Sequence, residues 1–235
     1  MGTLLFSELL DELKSHLGNR GDLTDARLTR FLNIAQDRVS RRHDFEEMQV
    51  KETISIVKDV QDFDLTTLTA TVKEIYSVVA LETNDEPIEK LIQINTRDWD
   101  KRHSSTAFLN SKGDPIEYVR WSNALELWRT PDRDMQLQFR FIKFPTAFSG
   151  ADAQKSDFTE KDDILILLAA SWAFQSLGEY DRSKQFFINA TSSINVVITE
   201  DQREPDKDIV PPWEEGGHSH RSANLVSDPF VNRTT

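Results

Sequence analysis

The 235-residue chain has no cysteine, which removes disulfide staples, thiolate metal sites and thiol nucleophiles together. Glycine is scarce at 8, and neither a P-loop spacing nor Gly-x-Gly-x-x-Gly occurs, so a phosphate-cradling loop is not expected. Gly-x-Ser-x-Gly and His-Glu-x-x-His are absent as well, and with them the common hydrolase and metalloprotease templates. Long apolar runs are missing. The longest near-continuous one, 164–170, falls far short of the roughly 20 residues a bilayer span needs, so a soluble chain is expected. Its first residues carry no basic segment and reach acid at Glu8, so no secretory signal is expected. Positive charge is the minority: 28 Lys and Arg stand against 40 Asp and Glu, a net charge of −12. Proteins that track phosphate backbones rely on clustered basic side chains, and this balance argues against that class.

What is present is helical at both ends. Phe6, Leu9, Leu10, Leu13 and Leu17 share one face of a helix expected over 3–17, with Thr3 placed to cap it and Gly18 to stop it. A second helix is expected over 24–43, with Thr24 as N-cap and Leu28, Phe31, Leu32, Ala35 and Val39 on its apolar face. Its other face carries Arg27, Arg30, Asp37, Arg38, Arg41 and Arg42, either as an ion-paired surface or as a contact for an acidic neighbouring subunit.

From about Gln49 the period shifts to 2 and β-branched residues take over. Strands are expected near 49–57, 72–81, 87–93, 116–121, 124–129 and 136–144, forming a small antiparallel sheet or sandwich whose last three strands make a meander. A helical turn is expected around Trp99. The helical period returns over 160–177, with Thr159 as cap, and over 181–198, with Gly178 between them. The leucine stripe of the first helix is expected to meet Ile164, Leu168, Phe186 and Phe187. Periodicity is lost over 205–235, where Pro211-Pro212, Gly216-Gly217 and Pro229 favour an extended arm. The fold class is therefore α+β: a bundle from 1–48 and 157–204, an inserted antiparallel β domain over 49–156, and an extended C-terminal arm.

Chemistry-bearing clusters are weak. His218 and His220 are the only close histidine pair, and a structural metal site needs about four ligands, so no metal and no cofactor is expected. Glu46-Glu47, Asp162-Asp163 and Glu214-Glu215 are pairs that 40 acids produce by chance, and adjacent helical residues point apart. No catalytic residue is assigned. Trp99, Trp121, Trp128 and Trp172 read as core and sheet packing. Trp213 differs, because it follows two prolines in a segment without its own core. With Ile209, Val210, Pro211, Pro212, Leu225, Val226 and Phe230 it reads as an arm that docks on another chain. Leu177-Gly178-Glu179-Tyr180-Asp181-Arg182-Ser183, with Phe187 and Ala190, resembles the middle of a tetratricopeptide repeat, but a single copy makes a helical hairpin rather than an array.

Three stretches together carry a family resemblance. They are the second helix from Leu28 through Leu32-Asn33-Ile34-Ala35 to Arg41-Arg42-His43-Asp44-Phe45; Gly113-Asp114-Pro115-Ile116-Glu117-Tyr118, followed by Leu125-Glu126-Leu127 and Pro131-Asp132; and the paired helices of 162–198. With the order helix, helix, β region, helix, helix, tail, they resemble the head-to-tail adaptor, or connector, proteins of tailed bacteriophages. The resemblance covers roughly 5–200, and the family's earlier proline is replaced here by Trp128-Arg129-Thr130. It implies a non-enzymatic virion protein in the neck, assembled in the host cytoplasm, which forms a ring of twelve subunits between the portal protein and the next tail or nozzle component. DNA would pass through without specific binding, and no membrane is involved. In such a ring Arg27, Arg38, Arg41 and Arg42 are expected at the subunit interface, and the arm on portal or a neighbouring subunit. The competing expectations are another tail or neck structural protein and a tetratricopeptide-like interaction module.

Overall fold

A computed structural model describes residues 2–102 and 111–201. The chain divides into two compact units, Met1–Ile194 and Asn195–Thr235. The first holds the seven strands found among the described residues. Of the second, residues 195–201 are described; they complete the last helix, with Thr199 Oγ1 donating to the Asn195 carbonyl at 2.8 Å.

Among the described residues five α-helices form: α1 (Phe6–His16), α2 (Asp25–Arg42), α3 (Thr96–Arg102), α4 (Asp162–Ser176) and α5 (Tyr180–Asp201). The strands are β1 (Gln49–Ile56), β2 (Asp62–Asp64), β3 (Val72–Leu81), β4 (Pro87–Ile94), β5 (Glu117–Trp121), β6 (Ala124–Trp128) and β7 (Met135–Lys143). The class is α+β, with helices from both ends of the first unit packed together. Leu9 and Leu13 of α1, Leu28, Leu32 and Val39 of α2, and Leu165, Leu168 and Ala169 of α4 are all buried. The most extensive helix contact is α2 on α4. The α4 helix is apolar nearly all round, as a helix enclosed by neighbours must be. The Asn33 side chain of α2 ties this group to the loop after the sheet, accepting from Phe148 N–H at 2.7 Å and donating to its carbonyl at 3.1 Å.

Two helix starts differ from the sequence expectation. Leu5, not Thr3, is the N-cap of α1, and its N–H donates to the Glu8 carboxylate at 2.7 Å. The N-cap of α4 is Lys161, not Thr159. Asp162 explains the first. Its buried carboxylate accepts from the N–H groups of Thr3 at 2.7 Å and Leu4 at 2.8 Å, so it holds the start of the chain extended. A Cβ on Gly2 would meet Asp162 Oδ1 at 2.7 Å, so this approach requires glycine. Beside it, Lys161 Nζ is drawn to the Glu47 carboxylate and lies 4.6 Å from the centre of the Phe45 ring, joining α4 to the turn after α2.

The strand order is β1-β7-β3-β4-β5-β6-β2. The sheet is mixed rather than antiparallel throughout, because β4 and β5 run parallel; α3 lies in the connection between them, which a parallel pair requires to be long. The expected meander of the last three strands is also corrected. Strands β5 and β6 make a hairpin, but β7 inserts between β1 and β3. Near its end, consecutive Phe141 and Ile142 are both buried, and a strand covered on both faces belongs in the middle of a sheet. The short β2, which the sequence pattern did not mark, pairs with β6. Leu125, Leu127 and Tyr118 share one core with Val78, Leu137 and Phe139, and Phe63 of β2 lies 5.7 Å from the Phe139 ring of β7. The sheet therefore closes over its own core, which β2 and β6 at one end share with β7 near the other.

Candidate interaction surfaces

Burial of Leu28, Leu32, Ala35 and Val39 turns the arginines of α2 outward. Arg38, Arg41 and Arg42 come together around a surface cleft of about 380 Å³ that also includes Ile34 and Asp37. Arg41 Nε donates to Asp37 Oδ2 at 2.8 Å, and this bond raises the guanidinium above its already high ordinary value. The Arg41 guanidinium carbon lies 5.7 Å from the Phe144 ring centre. Arg38 covers two aromatic rings, Trp172 of α4 at 5.9 Å and Phe187 of α5 at 5.5 Å. Arg27 lies nearer the start of the helix, 5.9 Å from the Phe31 ring, and does not line the cleft. The face is thus exposed and cationic, with its guanidinium planes braced on aromatic rings, an arrangement suited to carboxylates.

The tryptophans divide by location. Trp99 is buried in a small cluster with Ile94 and Val119, against which Trp128 packs. Trp121 is 40% exposed, and its Nε1–H donates to Glu126 Oε2 at 3.0 Å. Among the acidic pairs, Asp162 and Glu47 have the structural partners given above. Among the described residues, no group of three or more His, Asp or Glu side chains could hold a metal ion. The arm residues Ile209, Val210, Pro211, Pro212, Trp213, Leu225, Val226 and Phe230, with His218 and His220, lie outside the described residues.

A second cationic surface was not anticipated from the sequence. Lys51 of β1, Arg140 of β7 and Lys90 of β4 surround a cleft of about 440 Å³ on the outer face of the sheet, with Tyr76 and Ser77 of β3. Strand register brings Lys51 opposite Arg140. Tyr76 is 51% exposed; partial burial and the nearby Asp44 and Glu74 carboxylates push its hydroxyl above its ordinary value. On β5, Tyr118 is buried, its OH donating to Gln93 Oε1 at 3.2 Å, and burial pushes its hydroxyl up to about 12.

The described surface thus offers charge and aromatic area spread over helix and sheet faces. The chain belongs to the SU10 adaptor protein family, which matches residues 5–208. It is a bacteriophage adaptor-type structural protein. No curated protein matches the chain. No described helix is long and apolar enough to cross a membrane.

Proposed function

We propose that this protein is a head-to-tail adaptor in the neck of the virion, a ring of twelve copies joining the portal protein to the next tail or nozzle component. The family match over 5–208 carries this reading. In it, the helices of 1–48 and 157–204 form the ring-building part, the β region of 49–156 faces the tail, and 205–235 is an arm. The Arg38, Arg41 and Arg42 face, with Arg27 beside it, meets an acidic face of the neighbouring subunit. Such a contact is heterologous, one face against a different face, and closes when the rotation between copies divides the circle. Trp213 and Phe230 anchor the arm on portal or on a neighbour, supported by Ile209, Val210, Pro211, Pro212, Leu225 and Val226. The net charge of −12 has a use if carboxylates line the channel, because a negative lumen repels phosphate and lets DNA slide without sticking.

Electron microscopy and mass measurement of the purified protein, with and without portal rings, test this. The expected result is a twelve-fold ring on the portal. A chain that stays unattached at micromolar excess over portal would overturn it.

A further inference from the structure

The sheet carries two cross-strand pairs of like charge. Lys51 of β1 stands directly opposite Arg140 of β7, and Asp62 of β2 directly opposite Glu126 of β6. Like charges in that position weaken the sheet that holds them. Neither pair is neutralised within the described residues. Lys51, Arg140 and the nearby Lys90 make no ion pair there, and Asp62 has no partner. Glu126 accepts only from neutral donors, Trp121 Nε1 at 3.0 Å and Gln61 Nε2 at 3.4 Å.

Their placement is complementary. Phe139 and Phe141 flank Arg140 in the core, so Arg140 and Lys51 point away from it; Leu125 and Leu127 do the same for Glu126 and Asp62. The basic pair lies toward the β1 end of the sheet and the acidic pair at the β2 end, each on the side away from the shared core. The basic side also has a cleft of about 440 Å³, in which Arg140 is opposite Ser77 on β3 as well as Lys51 on β1.

We propose that these surfaces meet between copies: the Asp62 and Glu126 edge of one chain docks on the Lys51, Arg140 and Lys90 face of the next. Each like-charge pair then gains opposite charge from its neighbour, which offsets the cost within each sheet. The contact is heterologous and passes from copy to copy in one direction. A nucleic acid fits the basic face less well. Among the described residues its cleft is lined by three cations, with Asp44 and Glu74 near Tyr76, on a chain of net charge −12. The contact rests on the homo-oligomeric reading above and adds a sheet-to-sheet surface to the α2 face.

Because the chain has no cysteine, single introduced thiols report the contact cleanly. Exposed Thr53, two residues from Lys51, and exposed Ala124, two from Glu126, are neutral sites for them. Full-length Thr53→Cys and Ala124→Cys chains, mixed on portal rings with a short bis-maleimide, should give the mixed cross-link several-fold over either self-link. Placing Lys51→Glu and Arg140→Glu in the Thr53→Cys chain should abolish it. Adding Asp62→Lys and Glu126→Lys to the Ala124→Cys chain should restore it. Each double change replaces a like-charge pair with another like-charge pair; Glu126→Lys also gives up the bonds from Trp121 and Gln61, so the denaturation midpoint of each variant is measured beside its cross-link. Equal yields of all three links, or duplex DNA retained by wild type and lost in the Lys51→Glu, Arg140→Glu chain without selective linking, would overturn the proposal. Rings that form on portal without the selective link overturn this contact alone. Failure to attach to portal overturns the adaptor reading, and selective linking is then read on the free chains.

Discussion

Asp157 shows how a single carboxylate couples the sheet to the helices that follow it. It accepts from Lys143 Nζ at 2.7 Å, at the end of β7, and from Thr146 N–H at 2.6 Å. Burial pushes its carboxyl upward, but the Lys143 and Thr146 donors outweigh burial and hold it below its ordinary value of 3.8. A depressed folded value means the unfolded chain binds the proton more readily. The stabilisation is therefore complete above about pH 4, in the range where an unfolded aspartate is ionised, and is lost as pH falls through the lowered folded value. Urea titrations of wild type and Asp157→Asn between pH 2 and 7 should show the variant less stable at neutral pH, with the two curves converging in acid. Parallel curves would show that Asp157 does not supply this coupling. The residue scale also explains why the first helix starts after Leu5 rather than Thr3, since Asp162, 159 positions from Thr3, takes the N–H groups of Thr3 and Leu4 and holds them outside the helix. No local pattern could have announced a partner at that separation.

At the scale of elements, helix cores and stops were legible because their causes are local. The leucine spacing of α1, the apolar face of α2 and the 72–81 strand come from side-chain periodicity, and the structure places all three within a few residues of the expectation. Gly178 has a φ of +79°, and a Cβ there would meet nothing within 4 Å. Gly178→Ala should therefore cost about 1 kcal/mol through backbone strain in the left-handed region, without any clash. Chemical denaturation measures this; an unchanged midpoint would show that the turn between α4 and α5 is not held in that conformation. The position of β7 was not legible. Its alternation of Met135, Leu137, Phe139 and Phe141 fits the third strand of a meander equally well, and Ile142 is the one departure that marks a central strand. Strand β2 is not marked in the sequence because three residues, Asp62–Asp64, are too few to show a period.

For the whole molecule, the division at Ile194 and the proposed arm lead to one separable outcome. A chain ending at residue 205 keeps the sheet and the buried helical core, so its denaturation midpoint should match the full-length protein. Attachment to portal, followed by co-sedimentation, should be lost, because the truncation removes Trp213 and Phe230. Normal attachment of the truncated chain would transfer portal binding to the folded unit, with the α2 arginine cleft as the next surface to examine. Of the sites read from sequence, Arg38, Arg41 and Arg42 converge on one cleft because they recur at helical spacing. The Lys51 and Arg140 face was hidden for the opposite reason: its members lie 89 positions apart and meet only through strand register.

The sequence by itself determined the α+β class, the helices at both ends and the basic face of α2, because periodicity, turn residues and charge act over a few positions. It also placed the chain near the phage adaptors through short motifs in that order. Only the tertiary structure decided the mixed strand order, the clamp of Asp162 on the first residues, and the like-charge pairs of opposite sign toward the two ends of the sheet. Those depend on which distant segments share a core, and hydrophobic burial rewards any partner that fills the space, whatever its place in the chain.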